Sequence, residues 1–258
     1  MQPTAHALAR TYSNRVYPDP WEKVLDHRRV VEYAADHPNA GRVRVGNVLD
    51  LPPSRVRGWL NGSLPDPVRG INTATAHGWL EPDPDGETAA ALVELLAHVL
   101  AGGSINRESF LVAVAPGRFV DLDEIHAAFE RVGVTTTTRH DDAPGRATEV
   151  VPTDDGSVLG RCLVAMGAAR GGKTDLDRLP PVVWKIPAPV RESFARIYVR
   201  HRAARHENKA TMMIQEQRPR TYFDDLRRLL TDMTGESVTI GDGAVTISAD
   251  AARELGVV

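Results

Sequence analysis

The order of predicted elements in residues 88–258 repeats itself, and this repeat restricts the fold more than any other feature of the sequence. Apolar spacing predicts, in order, a helix, a strand, a helix, two strands and a helix over 88–103, 109–115, 122–133, 134–140, 147–153 and 157–168. The same series follows over 189–203, 211–217, 221–235, 237–240, 244–248 and 249–256. This duplication predicts an α+β unit of two αββαββα halves related by a pseudo-twofold axis, with one strand of each half only weakly marked.

The N-terminal part of the chain has helical periodicity instead. A helix is predicted over 21–37 and ends at Pro38. Its apolar face consists of Val24, Val30, Val31 and Ala34. The next segment, GRVRVGNVLDLPPSRVRGWLNG (41–62), predicts a helix, a tight turn and a second helix, and another short helix is expected within 65–80. This part is therefore predicted to be all-helical.

The helix pair predicted in 41–62 has a spacing that resembles the helix-turn-helix of repressors and transposases. Its inward-pointing residues are Val45, Leu49, Leu51, Val56 and Trp59. Gly46 lies where the first helix must let the second approach closely. Asp50 occupies the turn, where that motif prefers Gly, and Asp tolerates a left-handed backbone better than most residues. We expect Ser54 to cap the second helix and Gly62 to stop it.

In that motif the second helix enters the major groove of DNA by its N-terminal end. The exposed residues of this helix are expected to be Ser54, Arg55, Arg57, Gly58 and Asn61. Arg pairs with guanine, Asn pairs with adenine, and Ser contacts phosphate or base. Arg42 and Arg44, at the start of the preceding helix, suit phosphate contacts. The alternative is a structural helical hairpin with solvated arginines.

The acidic, Pro-rich segment EPDPDGE (81–87) predicts a linker between two domains, 1–85 and 86–258. The second domain is expected to divide into halves of about 86–180 and 181–258. Charge is distributed unevenly between the two parts. Residues 1–80 contain ten Lys or Arg against seven Asp or Glu, although the whole chain has a net charge of −3. This mild basic surplus favours the N-terminal part as the one that faces phosphate.

The order of elements in 88–258 resembles a single-chain LAGLIDADG homing endonuclease. The segments that carry the resemblance are LVELLAHVLAGGSI (92–105), LGRCLVAMGAARGGKTDLDRLP (159–180) and VRESFARIYVRHRA (190–203). The family packs two signature helices side by side at the pseudo-twofold axis through small residues, a role that Ala97 and Ala101 fit in the first copy. A bacterial family of sporulation regulators similarly pairs a degenerate fold of this type with a helix-turn-helix, in the opposite order.

The resemblance also implies that catalytic acids are missing. In the family each signature helix ends in an acidic residue that holds Mg²⁺ at the scissile phosphates, because hard Mg²⁺ prefers oxygen ligands. Alignment puts Gly102 at the first of these positions and Arg202 at the second. Glycine supplies no ligand and arginine repels a metal ion. The resemblance therefore implies a LAGLIDADG-like fold without nuclease activity, with no catalytic residues and no metal.

Arg202 belongs to a basic cluster in the second half of the duplication. The cluster consists of Arg200, Arg202, Arg205, Lys209, Arg218 and Arg220, against Glu207 and Glu216. We interpret Arg200, Arg202, Arg205 and Lys209 as direct phosphate contacts on the strand surface that binds DNA in this family, here called the saddle. Solvated cations at a helix end are the alternative. Thr135, Thr137, Arg139, Gln215 and Gln217 are expected to face the grooves, whereas Glu149 and Glu216 would oppose DNA there.

Other features exclude several classes of function. The single cysteine, Cys162, rules out intrachain disulfides and Cys-cluster zinc sites. GGKT (171–174) follows a predicted helix and lacks the upstream Gly of a phosphate-binding loop. The nine histidines are scattered and predict no zinc site. Without an apolar run of membrane length or a signal peptide, the sequence predicts a cytoplasmic protein with no membrane partner.

Together these patterns predict a double-stranded-DNA-binding transcription regulator that is not an enzyme and needs no cofactor. Two alternatives stay open. One is a site-specific endonuclease with non-standard metal ligands. The other is an effector-sensing or protein-interaction module in which only the helix-turn-helix binds DNA, with the saddle as an effector or homodimer surface.

Overall fold

The computed structural model describes residues 2–13, 16–141, 143–206, 209–241 and 243–257, without the side chains of Asp175, His206 and Lys209. The chain divides into two compact units. The helical unit spans Thr4–Ala76, and the larger unit comprises residues 2–3 together with the described residues from His77 onward. No helix in the described residues is long and apolar enough to cross a membrane.

The described residues of the helical unit form five helices. These are α1 (Ala5–Ala9), α2 (Pro20–Asp36), α3 (Arg42–Leu49), α4 (Pro53–Leu60) and α5 (Asp66–Ala76). Helix α2 begins with Pro at its first position and is capped by Asp19, whose Oδ1 accepts a hydrogen bond from the Trp21 amide at 3.0 Å. Val24 and Val30 are buried as predicted, but Val31 is 48% exposed, so its assignment to the buried face was wrong. His27 takes a place on that face instead.

Helix α5 ends at Ala76, earlier than the predicted segment 65–80, because the residues that follow pack in the larger unit. Buried Trp79 donates its indole N–H to the carbonyl of Val132 at 2.9 Å. The ring of His77 stacks on Trp79 with 4.2 Å between the centroids. The contacts of the chain therefore divide it ahead of the acidic linker, whereas the boundary between residues 85 and 86 remains a prediction about functional domains.

The larger unit consists of two successive αββαββα halves, as the sequence predicts. The first half contains α6 (Glu87–Gly102), β1 (Gly103–Ile105), β2 (Val112–Val114), α7 (Leu122–Arg131), β3 (Thr136–Arg139), β4 (Glu149–Pro152) and α8 (Gly156–Met166). The second contains α9 (Ala188–Arg202), β5 (Ala204–His206), β6 (Lys209–Gln215), α10 (Arg220–Thr234), β7 (Val238–Gly241), β8 (Ala244–Ile247) and α11 (Ala249–Glu254).

Each half forms one antiparallel sheet, and the two sheets have the same strand order. The first is β1-β2-β4-β3 and the second is β5-β6-β8-β7. The two short strands β1 and β5 follow their helices with little or no connecting loop and are the ones that periodicity marks weakly. Three residues are too few for an alternating pattern to be recognised. The identical orders confirm the duplication in three dimensions.

The two signature helices form the centre of the larger unit. Helices α6 and α9 pack on each other more extensively than any other pair of described elements. Almost every residue of α6 from Ala91 to Ala101 is buried, including Ala97, so the helix is apolar on all sides. A helix of this composition is stable only inside a core, and it therefore holds both halves together.

Candidate nucleic-acid interface

The turn between α3 and α4 has the local geometry that the sequence predicts. Asp50 adopts a left-handed conformation (φ 53°, ψ 47°) and ends α3. The Leu51 amide donates to the Gly46 carbonyl at 2.9 Å. A Cβ at position 46 would lie 2.6 Å from the Leu51 carbonyl oxygen and 3.4 Å from Pro53. Gly46 therefore permits the close approach of the two helices, as expected.

A buried apolar cluster fixes the orientation of α4. It consists of Val30, Val45, Leu51, Val56 and Trp59, with Leu49 partly buried beside it. Because Val56 and Trp59 are three positions apart, they lie on one face of α4 and define its inner side. Arg57 is exposed, as are Ser54 and Asn61, so α4 presents polar groups to solvent.

The ends of α4 differ from the prediction in detail. Ser54 does not cap the helix, because α4 already begins at Pro53 with Pro52 in the cap position. Asn61 ends the helix, and its amide donates to the Gly58 carbonyl at 3.1 Å. Gly62 follows with φ +83°, which agrees with the predicted stop. The exposed Ser54 hydroxyl is thus not used for capping.

Arg55 is not exposed like Arg57, contrary to the prediction that both point away from the core. Its Nη1 donates to the Tyr17 hydroxyl oxygen at 2.7 Å, and its guanidinium lies 4.7 Å from the centroid of the Tyr17 ring. The Tyr17 hydroxyl in turn donates to Asp26 Oδ2 at 2.9 Å. Burial and the Asp26 carboxylate raise the pKa of Tyr17 to about 12. Arg55 therefore ties α4 to the preceding segment.

Arg42 and Arg44 are both exposed in the first turn of α3. Gly41 precedes that turn and provides no side-chain cap. Uncapped N–H groups at a helix N-terminus attract anions, and Arg42 and Arg44, on different faces of the first turn, add formal positive charge. The beginning of α3 is thus suited to a phosphate group, as the sequence predicts.

In the larger unit, the C-terminal ends of α6 and α9 lie together. His98 Nδ1 and His201 Nε2 are 2.8 Å apart and share a hydrogen bond, with the rings at an angle of 86°. Since both histidines lie near the C-terminal ends of their helices, α6 and α9 run in the same direction. Gly102 and Arg202, the residues aligned with the catalytic acids, are the last residues of these two helices.

The imidazole of His201 fills the space beside Gly102. A Cβ on residue 102 would lie 2.5 Å from His201 Cε1 and would also clash with Nδ1. On another side of this imidazole, a Cβ on Gly117 would lie 2.6 Å from the Cα of His201. Neither position can carry a side chain unless His201 moves. The first acid position therefore lacks both the carboxylate and the room for one.

Both histidines of this pair are neutral. Burial lowers the pKa of His98 to about 4; Glu124 opposes this shift, and Arg200 adds a smaller lowering effect. Burial lowers the pKa of His201 to about 3, helped by His98 and the cations Lys173, Arg202 and Arg200. His201 Nδ1 is buried and makes no hydrogen bond within the described part of the chain.

Arg202 is part of a buried ionic cluster around Glu216. Arg202 Nε donates to Glu216 Oε1 at 3.0 Å, and Arg218 Nε donates to Oε2 at 3.2 Å. The Tyr198 hydroxyl donates to Oε1 at 2.9 Å. The sequence predicts that Glu216 opposes DNA from the surface. The structure instead places its side chain as a buried counter-ion.

Lys173 adds a third cation to this cluster. Its Nζ lies 3.4 Å from the Ala101 carbonyl oxygen, and the Arg218 guanidinium donates to the Lys173 carbonyl. Burial, followed by Arg218, lowers the pKa of Lys173 to about 8. The cluster thus contains three cationic side chains and one carboxylate, which leaves it with an excess of positive charge.

A cavity of about 250 Å³ opens beside this cluster. It is lined by Arg118, His201, Arg202, Ala204, Met213 and Gln215. Arg202 reaches it with a side chain that is 37% exposed, and Arg118 is exposed. No group of three or more metal-ligating side chains exists among the described residues. The described residues that line this cavity include two arginines, a neutral imidazole and no carboxylate, so the cavity suits an oxyanion and does not fit the Mg²⁺ of the homing endonucleases.

The other members of the predicted basic cluster do not share this site. Arg200 forms a bidentate ion pair with Glu124 and donates to the Phe119 carbonyl, so its charge is already paired, and a phosphate contact by Arg200 stays a prediction. Arg205 is exposed on β5. The side chain of Lys209 lies outside the described residues, as does Glu207. Arg220 pairs with Asp224 on its own helix.

The strand residues predicted to face DNA grooves have mixed environments. Thr137 and Gln215 are exposed. Thr135 is exposed ahead of β3, where its hydroxyl lies 2.6 Å from that of Thr153. Arg139 forms a cross-strand ion pair with Glu149 at 2.8 Å, which neutralises both charges.

Sequence reasoning missed the histidine pair, Lys173 and Arg118. One signal was present: His98 interrupts an otherwise apolar helix, and a buried polar residue requires a hydrogen-bond partner. Nothing in the sequence identified that partner as His201.

Comparison with solved structures finds similarity at low sequence identity. Full-length DUF199/WhiA from Thermatoga maritima is 13% identical, with a TM-score of 0.45 over 68% of this chain and 57% of that chain. The homing endonuclease I-WcaI bound to its DNA recognition sequence is 11% identical, with a TM-score of 0.46 over 72% of this chain and 84% of that chain. The N-terminal LAGLIDADG domain of DUF199/WhiA is 12% identical, with a TM-score of 0.43 over 67% and 83%.

The present chain thus spans little more than half the length of full-length DUF199/WhiA. No protein-family model and no curated protein sequence matches it. Residues 87–254 have a LAGLIDADG-like fold, because their order of elements is duplicated and their two sheets have the same strand order. The fold is degenerate because glycine and arginine end the two central helices.

Proposed function

We propose that this chain is a sequence-specific double-stranded-DNA-binding protein that regulates transcription and does not cleave DNA. The observation that carries the proposal is the α3–α4 geometry: a tight left-handed turn at Asp50, a buried inner face, and an outer face with exposed Arg57 and Ser54. A short helix held this way presents a few side chains at a fixed depth in the major groove.

The side chains of the helical unit take different roles in this proposal. Arg57 reads a base edge, because its guanidinium is exposed and a bidentate contact with guanine needs two free N–H groups. Arg42 and Arg44 bind phosphate at the start of α3. Arg55 acts mainly as a positioning residue, because one of its amino groups is already bonded to Tyr17. Ser54 and Asn61 contribute weaker polar contacts at the two ends of α4.

The larger unit contributes a phosphate contact at the cavity beside Arg202. Arg118 and Arg202 line that cavity with positive charge that Glu216 only partly neutralises, and a backbone phosphate has the matching charge. Arg205, exposed on β5, is assigned to the same surface charge.

The absence of cleavage follows from the same helix ends. Metal-assisted hydrolysis needs carboxylates around a divalent cation, but His201 occupies the first acid position and Arg202 the second. The active-endonuclease alternative would need other acidic ligands, and no such cluster exists in the described residues.

The experiment combines selection of bound fragments from a random DNA pool with two charge variants of the full chain. Arg57→Ala is expected to reduce the preference for the selected site by about 1–3 kcal/mol, because a base contact is lost. Arg69→Ala is the matched control, since Arg69 is an exposed arginine of the same unit, on α5 and paired with Asp66. Equal behaviour of the two variants would remove the recognition role of α4.

The phosphate contact of the larger unit is tested by Arg202→Gln. Glutamine is chosen because glutamate would place a second carboxylate against buried Glu216 and would destabilise the fold. The slope of log affinity against log salt should fall by about 0.9 in magnitude. Arg220→Gln, on α10, is the control and should leave the slope unchanged. An unchanged slope in Arg202→Gln would assign DNA binding to the helical unit alone.

A further inference from the structure

A second cavity, of about 320 Å³, lies at the opposite end of the central helix pair. One wall is the beginning of α6, with Ala89, Leu92 and Val93, and another is the segment before α9, with Val182 and Ile186. Met166, at the end of α8, closes a third side. These side chains are apolar, and their cavity has the size of a small-ligand site.

The remaining wall is a rigid strap formed by the first residues of the chain. Gln2 Nε2 donates to the Pro82 carbonyl at 2.7 Å, and the Glu81 amide donates to the Pro3 carbonyl at 2.9 Å. Pro3, Pro82 and Pro84 face the cavity, and proline has a fixed φ and few rotamers. The cavity is therefore preformed and does not depend on the collapse of flexible side chains.

Among the described residues that line this cavity, Lys185 alone has an ionisable side chain. It is exposed and makes no ion pair in the described part of the chain, so its charge is available at the rim. Ala89 lies in the first turn of α6. Ile186 lies just before Pro187, the residue that precedes α9. No side chain caps either helix, and two uncapped N-termini add partial positive charge at this end.

Acidic residues also occur nearby in the sequence. Glu81, Asp83, Asp85 and Glu87 are exposed, and none of them lines the cavity. Their charges are screened by solvent, whereas a group inside the cavity meets the ammonium of Lys185 at short range. A ligand with an apolar body and one negative end matches this combination.

We propose that this cavity binds a medium-chain alkyl carboxylate, with the chain along Leu92 and Val182 and the carboxylate at Lys185. We further propose that occupancy changes the spacing of α6 and α9 and so regulates DNA binding, a step that rests on the proposed function. Helices are stiff, and α6 rises about 1.5 Å per residue, or about 20 Å from Ala89 to Gly102. A wedge between the N-terminal ends is therefore transmitted to the cavity at the C-terminal ends.

The methionines allow both parts to be measured on the intact chain by NMR with ¹³C-methyl-methionine. Met166 lines the proposed ligand cavity, Met213 lines the cavity beside Arg202, and Met233 on α10 lines neither. Decanoate, added below its micelle concentration, should shift the Met166 signal saturably and the Met213 signal in parallel. The Met233 signal should stay in place.

Charge specificity is tested with decanol, decylamine and one variant pair. Lys185→Met should weaken decanoate binding about tenfold, as expected for a charge-assisted contact. Arg146→Met, which removes an exposed cation from the turn between β3 and β4, is the control and should bind normally. Equal binding of the three decyl compounds, or tighter binding of the amine, would overturn the assignment of a carboxylate.

The outcomes separate this proposal from the proposed function. An unshifted Met166 signal would refute the ligand site even if the chain binds DNA. A saturated Met166 signal with an unmoved Met213 signal would refute transmission along the helices. If the chain fails to bind DNA, the carboxylate site is judged by Met166 and Lys185→Met alone, and only regulation of DNA binding is lost.

Discussion

The substitution Gly102→Ala tests whether His201 fills the first acid position. Without a clash, replacing a glycine within a helix by alanine stabilises a protein by about 0.4–1 kcal/mol through the unfolded state. Here the new Cβ would lie 2.5 Å from His201 Cε1 and 3.0 Å from the Ala115 carbonyl oxygen. The sign of the effect therefore distinguishes open space from an occupied site.

Two costs determine the expected magnitude. Forcing an extra methyl group into a packed region costs about 1–3 kcal/mol. If His201 moves aside, its buried hydrogen bond to His98 is lost, which costs about 1–3 kcal/mol more. After the gain of alanine over glycine is subtracted, we expect a net destabilisation of about 1–5 kcal/mol.

The assay is a urea titration followed by the methyl signal of Met212, a buried residue of β6 that reports on the larger unit. A double-mutant cycle with His201→Ala makes the test specific, because removal of the imidazole creates room for the methyl group. Gly102→Ala should then cost little, so the coupling energy should be nearly as large as the cost of the single substitution in the wild-type chain. A stabilising effect of the single substitution, or additive effects in the cycle, would refute the account of this position.

Three further outcomes are expected. In the folded state the pKa of His98 is lowered to about 4 and that of His201 to about 3, from 6.5 in the unfolded chain. The contribution of the two neutral histidines to the free energy of unfolding is therefore fully present above pH 6.5. It should be lost as the pH falls from 6.5 towards 4, by up to about 1.4 kcal/mol per pH unit for each histidine, and a flat urea midpoint in this window would contradict this. Tyr17→Phe removes only the hydrogen bond that positions Arg55, so it should weaken DNA binding less than Arg57→Ala does. A larger loss of affinity in a gel-shift titration would indicate that Arg55, held by Tyr17, reads a base. Supercoiled plasmid incubated with the chain and Mg²⁺ or Mn²⁺ should remain uncut, whereas nicking abolished by a point change in this chain would restore the endonuclease alternative.

Helical periodicity predicted most of the fold because the central elements are long and amphipathic or wholly apolar. The strands β1 and β5 are only weakly marked in the sequence because three residues carry too little pattern. The different environments of the arginines have a simple geometric cause. Residues two apart on a helix point about 200° away from each other, so Arg55 and Arg57 cannot share a face, and neither can Arg200 and Arg202.

The histidine pair could not be predicted in the same way. His98 and His201 are 103 residues apart, and their contact depends on how α6 and α9 are rotated about their own axes. That rotation results from the packing of the buried faces of the two helices, which the sequence of either helix alone leaves undetermined. The same reason explains why Glu216 appeared to be a surface charge and is instead the buried counter-ion of Arg202.

The most direct test of the central claim is to measure the affinity of the full chain for its selected DNA site and for a scrambled duplex of equal length. The two measurements are made at one salt concentration, with the wild-type chain and with Arg57→Ala. We predict that the wild-type chain binds the selected site at least about 10³-fold more tightly than the scrambled duplex, as specific DNA-binding proteins do. We predict that Arg57→Ala loses about 10–100-fold of that preference while its affinity for scrambled DNA changes little. Failure of the random pool to yield any enriched sequence, or equal affinity for both duplexes, would contradict the account.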